Sequence, residues 1–175
     1  MFKKIAIAVV VLIAALLIYA ATRPDTFRVE RSASIKAPPE KIFARINDLR
    51  SWTDWSPYEN KDPAMRRAFG DASSGKGAAY SWEGNSEVGK GRMEITESVP
   101  PSRVTIKLEF IKPFEARNTV DFTLVPKGEA TNVTWAIHGP SPYISKLVGV
   151  FCNMDSMIGK DFEAGLASLK TVTEK

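Results

Sequence analysis

The fold of this chain is decided by residues 103–125, RVTIKLEFIKPFEARNTVDFTLV. Apolar and polar residues alternate over Arg103–Ile111, Lys112-Pro113 turns the chain, and the alternation continues over Phe114–Val125. A period of two is typical of strands with one buried and one wet face. The stretch therefore predicts two adjoining antiparallel strands, with Asn118 as the odd polar residue on the apolar face.

Similar patterns on both sides extend this sheet. The further predicted strands are Phe27–Ile35, Ala64–Phe69, Ala78–Glu83, Glu87–Val99 and Thr131–His138. Between the first two, Glu40–Asn47 has one apolar face and predicts a short helix, whereas 48–62 is expected to be irregular. No internal repeat is visible.

The chain after Pro142 has helical periodicity. A first apolar stripe consists of Ile144, Leu147, Val148 and Phe151. A second stripe consists of Met154, Met157, Ile158, Phe162, Leu166 and Leu169. A single sheet must bury its apolar face against another element, so we expect this C-terminal helix to lie across the sheet. The predicted fold class is α+β: a curved antiparallel sheet wrapped on a long C-terminal helix.

A transmembrane helix is predicted ahead of this domain. Residues Ile5–Ala21 form an uninterrupted apolar run, counting Tyr19 as apolar. A helix of this length spans about 26 Å, close to the roughly 30 Å hydrocarbon core of a bilayer. A cleaved signal peptide is the alternative, although its apolar region is usually shorter and its cleavage site places small residues where this chain has Tyr19 or Ile18. A buried core helix is a third interpretation, without the expected polar stripe.

Charge gives two conflicting indications of orientation. Counting Lys and Arg on both sides of the run slightly favours a cytoplasmic C-terminal domain. The short N-terminal tail with Lys3 and Lys4 favours the common arrangement with the N-terminus inside, and we expect the domain to face outward.

The composition of the chain after the apolar run limits which functions it can have. We divide the chain into an anchor and linker, 1–26, and a single domain, 27–175. The net charge of the 175-residue chain is +4, and removing Lys3, Lys4, Arg23 and Asp25 leaves 21 basic and 19 acidic residues, or +2. These charges are interspersed, which excludes the basic footprint of a nucleic-acid-binding protein.

Metal and cofactor chemistry is not indicated by the sequence. The chain has one cysteine, Cys152, and one histidine, His138, so no Cys/His cluster with metal-ligand spacing exists. No cofactor is predicted and no residue is named catalytic. His138 is expected to be a polar residue at a strand end, and Lys107, Glu109, Arg117 and Asp121 are expected to form cross-strand ion pairs.

A resemblance to a known family covers residues 27–172. The residues that carry it are Phe27–Ser34 leading into IKAPPEKIF (35–43), NDLRSWTDWSP (47–57), TNVTW (131–135) and the closing helix through Phe162. In this order they resemble the START-like (SRPBCC) superfamily, in particular its polyketide cyclase/dehydrase-like branch. The resemblance implies a helix-grip fold with an apolar cavity between sheet and helix, which holds lipids, sterols, polyketides or other hydrophobic ligands. A few members catalyse cyclisation.

The candidate ligand-binding residues lie on the inward-facing positions of the sheet, on the C-terminal helix and in the tryptophan-rich segment. They are Trp52, Trp55, Tyr80, Trp82, Met93, Ile95, Leu108, Phe110, Asn118, Phe122, Trp135, Ile137, Met157 and Phe162. Ile106, Met154 and Ile158 share the same faces. The alternative is an ordinary filled core, in which Trp52 and Trp55 close one end and Asn118 bonds a neighbouring backbone group.

Three functions remain open from the sequence. The first is a membrane-tethered module that binds a hydrophobic small molecule or lipid and contacts the membrane through residues 5–21. The second is an enzyme of the cyclase or dehydratase type, for which the inward face offers only Tyr80 and Asn118 as polar groups. The third is a filled-core domain that binds a protein partner at the membrane. The oligomeric state and the ligand are not indicated.

Overall fold

The computed structural model describes residues 2–151 and 153–175. Seven strands form one antiparallel sheet in the order β1-β7-β6-β5-β4-β3-β2. The strands are β1 (Thr26–Ile35), β2 (Arg66–Phe69), β3 (Ala79–Glu83), β4 (Lys90–Val99), β5 (Arg103–Lys112), β6 (Ala116–Lys127) and β7 (Ala130–Pro140). The helices are α1 (Phe2–Ala21), α2 (Pro39–Asn47), α3 (Pro57–Lys61), α4 (Tyr143–Phe151) and α5 (Met154–Thr173), with a 3-10 helix at Leu49–Asp54.

The alternating stretch forms the centre of this sheet, as predicted. Ile106 pairs with Val120 and Leu108 with Asn118, so the apolar positions of β5 and β6 share one face. Phe114 differs from the prediction, because it precedes β6 and is 82% exposed. The last pair of β5 and β6 is Phe110 with Ala116, which leaves Phe114 in the turn.

Helix α5 covers the concave face of the sheet and confirms the predicted helix-grip arrangement. Its buried side chains include Phe162, Leu166 and Leu169. Arg31 on β1 ties the helix to the sheet through Asp155 at 3.0 Å and Glu163 at 2.7 Å. The hydrogen bond from Arg31 lowers the pKa of Asp155.

The tryptophan-rich segment is more regular than predicted. Residues 48–62 contain the 3-10 helix and α3, instead of irregular chain. Asp48 begins the first of these by accepting a hydrogen bond from the Arg50 amide at 2.9 Å, and Pro57 stands in the first turn of α3. Helices this short give almost no periodic signal in a sequence.

The predicted C-terminal helix is divided into two. The break is at Asn153, whose side chain caps α5 by accepting a hydrogen bond from the Ser156 amide at 3.0 Å. The second stripe belongs to α5, whereas the first belongs to α4, which packs against α1 instead of the sheet. Ile144, Val148 and Phe151 are exposed, so the expectation that the whole C-terminal segment lies across the sheet is wrong for α4.

Helix α1 stands outside the core of the domain. Among the described residues it is the one helix long and apolar enough to cross a membrane, and of its residues Ala20 is buried. This exposure excludes the interpretation as a buried core helix and leaves an anchor or a signal sequence. The hydroxyl of Tyr143 on α4 donates a hydrogen bond to the Leu17 carbonyl of α1 at 2.9 Å.

Candidate ligand-binding site

An aromatic cluster fills one half of the concave face. Its members are Trp52 and Trp55 from the 3-10 helix region, Phe122 and Trp135 from the sheet, and Phe162 from α5. The rings of Trp135 and Phe162 stack with centroids 4.1 Å apart, and those of Trp52 and Trp55 lie 4.8 Å apart. All five are buried. In this half the structure agrees with the filled-core alternative, because these rings occupy the space that a ligand would take.

Two tryptophans of this cluster are held by the backbone of α2. The indole N–H of Trp52 donates to the Ile46 carbonyl at 2.9 Å, and that of Trp55 donates to the Arg45 carbonyl at 3.3 Å. These bonds fix the rings as a plug between α2 and the sheet. The indole N–H of Trp135 is buried without a hydrogen-bond partner among the described residues.

The middle of the concave face is also filled. The predicted positions Tyr80, Met93, Ile95 and Ile137 are buried at 6% exposure or less. Met93 pairs with both Tyr80 and Leu108, and Ile95 pairs with Ile106. These side chains share one face of the sheet with Leu108 and lie beside it.

The other half of the concave face is only partly covered. Trp82, Leu108, Phe110 and Asn118 are all half-buried, and they lie at the end of the sheet where β1 begins and β7 ends. The strand register places them side by side, because Trp82 pairs with Gly91, Gly91 with Phe110, and Leu108 with Asn118. The structure therefore brings four predicted residues into one apolar strip, which we call the open strip.

Two glycines shape the open strip. The ring of Trp82 lies directly over Gly91, where any side chain would collide with it, and its N–H donates to the Val88 carbonyl at 2.9 Å. Gly139 faces the amide of Asn118 just as closely. Glycine at these two sites lets Trp82 and Asn118 lie flat along the sheet. The rings of Trp82 and Phe110 meet edge to face at 6.0 Å.

The helix contributes less to the face than expected. Met154 and Ile158 are half-buried, in agreement with the predicted stripe. Met157 is 64% exposed and points away from the sheet, so its assignment to the inner wall is wrong. The face of α5 that packs on the sheet includes Ile158 and Phe162, which are four residues apart. Met157 lies outside this face.

Two hollows lie at the surface of the domain, and no residue of the open strip lines either of them. A hollow of about 420 Å³ is lined by Thr26, Phe27, Arg28, His138 and Gly139, at the start of β1. A second hollow, of about 290 Å³, lies on the opposite side of α5, between Asp54 and Thr171. Arg28 and His138 pair on the outer face of β1 and β7, opposite to the buried Val29 and Ile137, so the first hollow lies mainly on the outer face and not on the open strip.

The buried carboxylate of Glu59 was not predicted from the sequence. Glu59 on α3 is 8% exposed; it accepts hydrogen bonds from the Tyr80 hydroxyl at 2.9 Å and from Arg67 at 2.7 Å. Burial and the bond to Glu59 raise the pKa of Tyr80. The three groups tie α3 to β2 and β3, and this structural role accounts for the carboxylate without catalysis. Glu59 lies in a segment that was predicted to be irregular, and no sequence pattern there indicates that its carboxylate is buried.

The polar residues of the outer face pair with each other. Glu109 binds Lys107 at 3.0 Å and Arg117 at 3.4 Å, as expected for ion pairs on this face. His138 contacts Asp121 at 3.0 Å. Among residues 2–151 and 153–175, no three His, Cys, Asp or Glu side chains are grouped to hold a metal ion.

The chain is similar to solved structures of the same fold. No curated protein matches it. Among solved structures, it is similar to protein CV1439 from Chromobacterium violaceum, with a TM-score of 0.61 and 16% identity over 87% of this chain and 99% of that one. Ginseng major latex-like protein 151 from Panax ginseng gives a TM-score of 0.59 and 15% identity, over 87% and 100% of the two chains.

A third similar structure is DynU16, from the dynemicin biosynthetic locus, with a TM-score of 0.59 and 18% identity over 87% of this chain and 48% of that one. At these identities the likeness concerns the fold alone. A family model described as polyketide cyclase / dehydrase and lipid transport matches residues 26–174, which is most of the chain. The helix-grip domain that follows α1 therefore belongs to the polyketide cyclase/dehydrase and lipid transport family.

Proposed function

We propose that this protein is a membrane-tethered module that binds a hydrophobic small molecule or lipid acyl chain on the open strip. The observation that carries the proposal is the half-buried apolar surface of Trp82, Leu108 and Phe110 at one end of an otherwise filled concave face. Family membership supports a hydrophobic ligand, since the family description includes lipid transport.

Apolar burial drives binding in this proposal. Each Å² of apolar surface that the ligand covers contributes about 25 cal/mol. Asn118 is the polar member of the strip, and its amide orients one oxygen or hydroxyl of the ligand against Gly139. The ligand class is thus a long apolar body with one polar end.

The proposed tether is α1, used as a retained anchor. The linker from Thr22 to Asp25 is four residues, so the start of β1 and the open strip stay close to the bilayer surface. Tethering raises the local concentration of ligands that partition from the membrane. The domain faces outward in this proposal, on the basis of Lys3 and Lys4 ahead of the span.

The two alternatives are less well supported. A cyclase or dehydratase needs an acid or base facing the ligand, whereas the carboxylate of Glu59 is engaged by Arg67 and Tyr80. A filled-core module for a protein partner agrees with the aromatic cluster but leaves the open strip without a role.

The test is native mass spectrometry of residues 24–175, which contain the matched family region and the buried core. Leu108→Gln is the test variant, because it places an amide in the centre of the strip. Val125→Gln is the matched control, since Val125 is an exposed strand residue on the outer face. Both proteins are first checked for cooperative unfolding.

We expect a co-purifying or added fatty acid to appear as a mass shift in the parent domain and in Val125→Gln. We expect Leu108→Gln to lose about tenfold in affinity, corresponding to the roughly 1.4 kcal/mol that one polar group costs in an apolar site. Equal binding by both variants, or no binding by any across fatty acids, phospholipids and aromatic polyketides, would contradict the proposal.

A further inference from the structure

We infer that α4, with the turn between β5 and β6, is a second membrane-contacting element that lies in the bilayer interface beside α1. This inference rests on the proposed function, in which α1 is a retained anchor. It adds a surface to that function and explains how the open strip reaches a ligand in the membrane.

The depth of α4 follows from one hydrogen bond. The Tyr143 hydroxyl, in the first turn of α4, donates to the Leu17 carbonyl at 2.9 Å. Leu17 lies four residues before Ala21, the end of α1, which is about 6 Å along the helix axis. The start of α4 is therefore level with the last turn of the apolar span, and not with the polar domain beyond it.

The exposed side of α4 is apolar. Ile144 is 69% exposed, Val148 is 52% exposed and Phe151 is 76% exposed, at spacings of four and three residues that place them on one face. In water this would be an uncovered apolar patch, which soluble proteins avoid. Beside a membrane span, the same face is suited to the acyl boundary of the bilayer, as in interfacial helices.

The charged group of α4 points the other way. Lys146 is the single charged residue of the helix, and its side chain is 8% exposed. Its ammonium group binds Asp25 in the linker at 2.5 Å, and this bond lowers the pKa of Asp25. The ion pair neutralises the lysine and fixes the rotation of α4, so that its apolar face is turned away from the linker.

The turn between β5 and β6 extends the patch. Phe114 is 82% exposed and Ile111 is 46% exposed. The backbone of Arg117, just after this turn, lies against Gly139, next to the end of β7 from which α4 leaves the sheet. The turn and α4 thus occupy the same end of the domain, and Lys112 and Arg117 flank the turn with charges that favour anionic headgroups.

The consequence concerns the open strip. Phe110 is the member of the strip that pairs with Ala116, the first residue after this turn, and the start of β1 also lies at this end. With α4 and the turn in the interface, the strip opens toward the bilayer surface. A hydrophobic ligand then passes from membrane to sheet without crossing water.

Spin labels on the full chain in phosphatidylcholine–phosphatidylglycerol vesicles test this placement. Cys152, the chain's one cysteine, is first replaced by Ser. Single cysteines are then introduced as Val148→Cys on α4, Val11→Cys on α1 and Ala167→Cys on the exposed side of α5. Collision with oxygen, which concentrates in lipid, is compared with collision with a water-soluble nickel complex.

We expect the oxygen-to-nickel ratio at Val148 to resemble that at Val11 and to exceed that at Ala167. A ratio at Val148 equal to that at Ala167, with Val11 in lipid, overturns this inference and leaves the tether intact. A label at Val148 shielded from both reagents marks a protein partner or a second copy on α4 and also overturns it. A ratio at Val11 as low as that at Ala167 shows that α1 is in water. This result contradicts the tether itself, and with it the proposed function.

Discussion

At the scale of single residues, the most consequential contacts are hydrogen bonds that hold buried polar groups. Glu59 keeps a buried carboxylate because Tyr80 and Arg67 both donate to it. Trp52 and Trp55 keep fixed orientations because their N–H groups reach backbone carbonyls of α2. These bonds join residues 6 to 21 positions apart in the sequence, and those of Trp52 and Trp55 hold the rings that fill one half of the concave face.

Replacing Tyr80 tests the bond to Glu59. Tyr80→Phe removes one donor from a carboxylate that is 8% exposed. We expect the free energy of unfolding to fall by about 2 kcal/mol, since hydrogen bonds to charged buried groups contribute roughly 1.5–3 kcal/mol. Urea unfolding measures the change.

The matched control for Tyr80 is Tyr58→Phe. The ring of Tyr58 contacts the Lys61 ammonium, 5.2 Å from the ring centroid, and phenylalanine keeps this contact. We expect a change below about 0.5 kcal/mol. Equal effects of the two substitutions would show that Glu59 is held by Arg67 alone.

At the scale of elements, the two C-terminal helices have different neighbours and differ in how closely those neighbours pack. Helix α5 packs tightly on the sheet, and Gly165 allows the ring of Trp135 and the side chain of Pro57 to approach it. Helix α4 packs on α1, and no atom of residues 2–151 and 153–175 lies near a methyl group placed on Gly149. The same residue type is therefore required in α5 and tolerated in α4.

Alanine substitutions separate these two cases. A methyl group on Gly165 would lie 2.6 Å from Trp135 and 2.9 Å from Pro57. We expect Gly165→Ala to destabilise the protein by about 1–3 kcal/mol through overpacking. The methyl group of Gly149→Ala meets nothing within 4 Å in the part of the chain that the structure describes, so we expect this variant to be neutral or stabilised by up to about 1 kcal/mol.

Thermal unfolding of both variants measures this difference. A stabilised Gly165→Ala variant would mean that Trp135 and Pro57 shift without cost, and that the aromatic cluster is looser than these distances indicate.

At the scale of the whole molecule, we expect the domain to be stable without α1. The core cluster runs from Val29 to Leu169 and is built from the sheet, α2, the 3-10 helix region and α5. Helix α1 packs on α4 and lies outside this cluster. We therefore expect α1 to contribute little to the folding of the domain.

Deleting residues 1–23 tests this separation. We expect Tm to stay within about 3 °C of the full chain in detergent, since about 1 kcal/mol shifts Tm by 2–4 °C in a domain of this size. Amide hydrogen exchange should accelerate in α4, which loses its partner, and stay slow in β5, β6 and β7. Loss of cooperative unfolding on deletion would show that α1 belongs to the folding unit.

Much of the architecture could be predicted because it follows from local pattern. The alternation over residues 103–125 predicts β5 and β6 in register, and the stripe through Phe162 and Leu169 predicts the covering helix. Trp82, Leu108, Phe110 and Asn118 were placed correctly on the inward face by the same parity.

The division of that face into a filled and a partly covered half could not be predicted. The alternation along a strand predicts which face of the sheet each side chain occupies. How much of that face is buried depends on how far α5 and the 3-10 helix extend across the sheet, which is decided by tertiary packing.

The sequence by itself determined the apolar N-terminal span, the antiparallel sheet and the helix that grips it, because each is encoded by a repeating pattern of neighbouring residues. Only the tertiary structure decided that α4 packs on α1 and not on the sheet, that Met157 faces away from the sheet, and that Glu59 is buried. These outcomes depend on which distant groups meet, namely Tyr143 with Leu17, Arg31 with Asp155 and Tyr80 with Glu59. A local pattern does not contain such long-range contacts, and they exist only once the chain has closed on itself.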